Sequence, residues 1–121
     1  MKKYGEELIV PGSPTTYYLH LAKEGMWSYV FSYKDNVIAV FKLYDHDKRF
    51  FGIPEEYESF VIWKSKGVTR GKPVKSFSKV DIVEELFKEF DPYEIKDLED
   101  EQAVSIFRGL ESEPESEEST W

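Results

Sequence analysis

Apolar side chains recur at a period of two in three early runs, TYYLHLA (16–22), WSYVFSY (27–33) and IAVFKLY (38–44). Polar tetrapeptides separate them, Lys23-Glu24-Gly25-Met26 and Lys34-Asp35-Asn36-Val37, in which Gly25 and Asn36 tolerate the positive φ of tight turns. The pattern predicts an antiparallel meander. A fourth apolar run, Tyr57 to Ser65, follows Pro54-Glu55-Glu56, which also suits the first turn of a helix; Phe60, Val61, Ile62 and Trp63 favour a strand. The period then changes. Ser78 and Asp81 form a capping pair, and Val80, Val83, Leu86, Phe87 and Phe90 recur at helical spacing until Asp91-Pro92. A shorter helix is expected from Leu98 or Glu99 to Arg108, with Ala103, Val104, Phe107 and Leu110 on one side and Gly109 as its stop. Beyond it, LESEPESEESTW holds five Glu, three Ser and one Pro, too little apolar surface to order itself. The expected fold class is α+β: a meander of three to five strands packed by one or two C-terminal helices, with a single domain over 1–109 and a disordered acidic tail over 110–121.

Two-residue loops at Glu24-Gly25 and Asp35-Asn36 would sort the side chains onto two faces. Leu19, Leu21, Val30, Val37, Ala39, Phe41 and Leu43 form an aliphatic face suited to packing under the helix at Ser78 to Phe90. Tyr18, His20, Trp27, Tyr29, Phe31, Tyr33, Val40, Lys42 and Tyr44 form the other, which is nearly all aromatic. Rings in rows on an open sheet suit stacking on unpaired bases, at about 1–3 kcal/mol per base. The same rings equally suit a second core surface or a dimer interface.

Charge sharpens the first of these readings. Residues 1–79 carry 13 Lys/Arg against 9 Asp/Glu, whereas residues 80–121 carry 3 against 15. The most basic stretch, Lys64 to Lys79, has six cations and no acid, and Gly67, Gly71 and Pro73 mark it as a loop in which Lys64, Lys66, Arg70, Lys72 and Lys75 would meet phosphates. Asn36 and Gln102 are the only side-chain amides and Cys is absent, a depletion of heat-labile residues that predicts a thermophilic archaeal or viral source. No apolar run has the length of a membrane span or a secretory signal, so a soluble cytoplasmic protein is expected, virus-encoded if its host is invaded by one.

Catalytic signatures are scarce. Asp45-His46-Asp47 offers carboxylates and an imidazole, but neighbours on a strand point to opposite faces and a polar turn accounts for the motif. No Walker A loop, GxGxxG, GxSxG or HExxH is present, so neither an enzyme nor a cofactor or metal site is expected.

Trp121 closes the acidic segment with an aromatic ring, and this organisation resembles single-stranded DNA-binding proteins of bacteria and phages, whose acidic tails end in an aromatic tip. The likeness covers about the last twelve residues and the general plan of a basic aromatic body; the tail here is Glu/Ser-rich, and no oligonucleotide-binding barrel pattern is visible. It implies a tail that recruits protein partners through Trp121 or competes for the basic groove. The expectation is a sequence-tolerant binder of single-stranded nucleic acid, DNA before RNA, stacking bases on Tyr18, Trp27, Tyr29, Phe31, Tyr33, Tyr44 and Trp63 and phosphates on Lys42, Lys64, Lys66, Arg70, Lys72 and Lys75. The alternatives are an acidic protein-interaction module, such as a viral inhibitor or antidefence factor that mimics nucleic acid, or a homodimer joined through the aromatic sheet face.

Overall fold

A computed structural model describes residues 14–108 of the 121, with side chains from Thr16 onward. The elements follow in the order α1 (Pro14–Lys23), β1 (Tyr29–Tyr33), β2 (Asn36–Lys42), α2 (Asp45–Phe51), β3 (Ser59–Ser65), β4 (Val68–Val74) and α3 (Lys79–Phe87). A 3₁₀ turn (Pro92–Glu94), β5 (Ile95–Asp97) and α4 (residues 100–108) complete the described chain. The class is α+β, with one five-stranded antiparallel sheet in the order β4-β3-β2-β1-β5. Among the described residues no helix is long and apolar enough to cross a membrane.

The run at 16–22 is a helix, not the first strand. Tyr18 and Ala22, four apart, are its buried positions, and Pro14 occupies the first helical turn, where its missing N–H costs nothing. Gly25 does take positive φ (+74°), but as the residue after a helix: its N–H donates to the Ala22 carbonyl at 3.1 Å, and that of Met26 to the Leu21 carbonyl at 3.0 Å, a Schellman closure. The basic stretch is not a loop either. Only Lys66 (φ +53°) and Gly67 (φ +80°) turn, both in the left-handed region that a type I′ hairpin requires, and Gly71 and Pro73 lie within β4. β4 is an edge strand. Counting in twos from the Ser65–Val68 closing pair puts Pro73 at a position whose nitrogen faces outward, so no ladder bond is lost.

The β1–β2 turn is Lys34-Asp35, since Tyr33 pairs with Asn36 and Val30 with Ala39. This register differs from the expected one by two residues, which leaves the side chains of β1 and β2 on the faces assigned to them, while Tyr18 and Trp27, outside these strands, move to the aliphatic layer. Helices nevertheless cover both faces. Val30, Ala39, Phe41, Phe60 and Ile62 pack with Tyr18 and Ala22 of α1, with Trp27, and with Ala103 and Phe107 of α4. Phe31, Tyr33, Ile38, Val40, Val61 and Val74 pack with Ile82 and Val83 of α3. α3 therefore lies on the aromatic face rather than the aliphatic one; its N-cap is Ser78, whose hydroxyl accepts from the Asp81 N–H. Strands apolar on both sides need a layer on both sides, which yields helix, sheet, helix.

Candidate nucleic-acid interface

The aromatic face is core, which corrects the stacking platform. Phe31 and Tyr33 are fully buried, the Tyr33 ring 5.3 Å from Phe87 of α3. Tyr29 is half-buried, and its hydroxyl donates to the Phe77 carbonyl at 2.6 Å. Burial pushes that phenol up to about 12. Tyr18 is in the opposite layer because its segment is helical. Its ring stacks on Phe60 at 4.2 Å, and burial raises its phenol as well. Trp27 is buried beside Phe107 and donates its indole N–H to Asp100 at 3.0 Å. None of Tyr18, Trp27, Phe31 and Tyr33 can receive a base, and α3 equally removes this face from a dimer interface. Tyr44 is exposed, but it precedes α2 at the end of the sheet away from the β3–β4 turn.

Trp63 has a different setting. It is half-buried on β3, directly across from exposed Arg70 on β4. Lys64, one residue on, points to the other face opposite Thr69, and Lys66 occupies the turn. Among the described residues Lys64, Lys66 and Arg70 have no acidic partner. The other cations proposed for phosphate contact are occupied. Lys72 bonds Glu85 at 2.9 Å and holds that carboxyl below its ordinary range, Lys75 lies 3.8 Å from Glu56, and Lys42 lies 4.0 Å from Glu58. Lys42 pairs with Ser59 at the far end of the sheet from Lys64, about 17 Å away at strand rise. The structure thus leaves Lys64, Lys66 and Arg70 as the hairpin cations without acids, Trp63 and Arg70 on one face and Lys64 on the other, while Lys72 and Lys75 are paired with acids and Lys42 and Tyr44 lie at the far end of the sheet.

Asp45, His46 and Asp47 form the first turn of α2, where the Asp47 carboxylate accepts the Tyr44 N–H at 3.0 Å. They cap a helix, and no group of three or more metal-binding side chains occurs among the described residues. Residues 110–121, with the acidic segment and Trp121, lie outside the described residues. Three exposed rings escaped the sequence reading, Tyr17, Phe50 and Tyr93. The Arg-Phe-Phe run at 49–51 after the Asp-His-Asp motif was the available signal, since a seven-residue helix buries only one of two adjacent rings. No family model, curated protein or solved structure matches this chain.

Proposed function

We propose that the protein binds nucleic acid with little sequence preference through the β3–β4 hairpin. Phosphates meet Lys64, Lys66 and Arg70, and an unpaired base rests against Trp63. The supporting observation is the absence of acidic partners for those three cations among described residues that hold 17 Asp/Glu against 14 Lys/Arg. Where acids are in excess, neighbouring cations pair with them, as Lys72, Lys75 and Lys79 do. Cations on one hairpin without a counter-charge add no ion pair to the fold, so a bound polyanion is their natural complement.

Fluorescence anisotropy with a labelled single-stranded oligonucleotide, measured across a salt series, tests the reading. Neutralising three phosphates contributes about 2 to the slope of log affinity against log salt on a single strand. The triple variant K64A/K66A/R70A is expected to lose that part of the slope, while K42A/K75A keeps it. No binding near 50 mM salt by the chain cut after Gly109, a condition on the order of those where phosphate contacts are strongest, refutes the proposal. Capture of a protein that requires residues 110–121 and not the hairpin would transfer the function to the acidic segment.

A further inference from the structure

We infer that the ligand this hairpin fits is a junction at which a duplex parts into two unpaired strands, one strand on each face of the sheet and Lys66 in the angle between them. The inference rests on the phosphate contacts proposed above and adds the form of the nucleic acid. The β3–β4 register sorts the hairpin onto two sides. Trp63 and Ser65 of β3 lie on the α3 side together with Val68 and Arg70 of β4, whereas Lys64 and Thr69 lie on the side of α1 and α4. The three cations without acids are therefore divided: Arg70 on one face, Lys64 on the other, and Lys66 in the turn that joins them. The surface around that turn is open. Lys66, Gly67, Val68 and Arg70 are exposed, and a Cβ placed on Gly67 would meet no atom within 4 Å.

Other forms of nucleic acid meet this arrangement less well. A duplex against one face reaches the cations of that face alone, and with a persistence length of about 150 bp it does not bend round a hairpin. Nor does the hairpin enter a duplex groove. The closing pairs of the two turns, Tyr33–Asn36 and Ser65–Val68, stand in one row because Val37 pairs with Lys64, so the β1–β2 turn is level with the β3–β4 turn. The end of the sheet is thus four strands wide, about 14 Å at a spacing of about 4.8 Å, against roughly 12 Å for a major groove. At that end Lys34 is held by Glu89 at 2.8 Å, which leaves the free cations on the β3–β4 side. A linear single strand reaches all three only by folding round the turn, at a cost in chain entropy. Two strands leaving a duplex are already apart, and one passes along each face. Val68, 47% exposed beside the turn, then meets the last base pair, and Trp63 on the same side takes the first unpaired base of that arm.

Fluorescence anisotropy of the full chain with labelled DNA in four forms is the test: a Y-shaped fork with two unpaired arms, the same duplex with one arm, the linear strand, and the blunt duplex. At about 50 mM salt the fork is expected to bind at least about tenfold tighter than the linear strand or the blunt duplex, on the order of one phosphate contact at that salt. K64A and R70A each bring the fork down to the affinity of the one-armed duplex, because each releases one arm. V68S weakens the fork and leaves the linear strand unchanged, a split that loss of phosphate contacts alone does not produce. A fork no tighter than the linear strand or the blunt duplex, or one indifferent to K64A or to V68S, overturns the inference and leaves the hairpin proposal standing. No binding of any of the four forms, by the full chain or by the chain cut after Gly109, removes both.

Discussion

Replacing Tyr33 by Phe is expected to stabilise the protein. The ring is fully buried under α3, yet its hydroxyl oxygen, also sealed from solvent, has no hydrogen-bond partner among the described residues. A buried hydroxyl without a partner costs about 1–3 kcal/mol relative to its hydrated state. Deleting the oxygen leaves a void of on the order of 10–15 Å³, worth about 0.3 kcal/mol at roughly 24 cal/mol per Å³. The net gain is then about 1 kcal/mol or more, which for a chain of 121 residues raises the Tm by about 3–5 °C. Urea denaturation reads this as a shift in midpoint at constant slope. Tyr33→Ala removes the ring as well and is expected to lose about 3–5 kcal/mol, the cost of an emptied core position. If Tyr33→Phe were destabilised by 1 kcal/mol or more, the hydroxyl would have a partner and its surroundings would differ from those described. If Tyr33→Ala changed stability little, the aromatic strip would not be core at all.

Gly25→Ala combines a left-handed backbone with a new Cβ only 3.1 Å from Val104 Cγ2, so a loss of about 1–2 kcal/mol is expected in thermal or chemical unfolding. Lys66→Asn relieves left-handed strain and is expected to stabilise the fold by about 0.5 kcal/mol while lowering the salt slope of oligonucleotide binding by about 0.7. A variant both less stable and equally salt-sensitive would contradict both arguments. Tyr29 keeps its proton to about 12 in the folded chain, against an ordinary value of 10.0. The unfolded chain releases that proton first, so the contribution is fully present below pH 10 and is lost as the pH rises toward 12. Tyr29→Phe should remove this part of the alkaline decline in stability, at the neutral-pH expense of the bond to Phe77.

Two of the three period-two runs located β1 and β2, the apolar run at 57–65 located β3, and the Ser78–Asp81 pair located the start of α3, because each is a local preference that packing reinforces. The face of each strand residue was also legible despite the wrong turn residues, since a shift of two preserves parity. α1 was not. Thr16, Tyr17 and Tyr18 favour strands in isolation, and a glycine at positive φ serves a hairpin and a helix end alike. β4 was obscured by Gly71 and Pro73, which an edge strand admits and an interior strand does not. The platform reading failed on a point that composition alone contains. An aromatic face opposite an aliphatic one leaves no polar side for water, so a second covering layer was required. The cationic run at 64–79 was visible as Lys and Arg, but which of them lack acids depends on Glu56, Glu85 and Asp97, which reach it only through the tertiary fold.

Pro73 also limits how copies of this protein can assemble. On the open rim of β4, Thr69 and Gly71 offer outward amides but Pro73 has none, and Arg70 and Lys75 flank the rim with like charges. An incoming β-strand would face an interrupted donor row and cationic repulsion, so growth into a continuous cross-β ribbon is blocked on this side. The opposite edge, β5, is three residues long, too short a row of free backbone groups to template such growth.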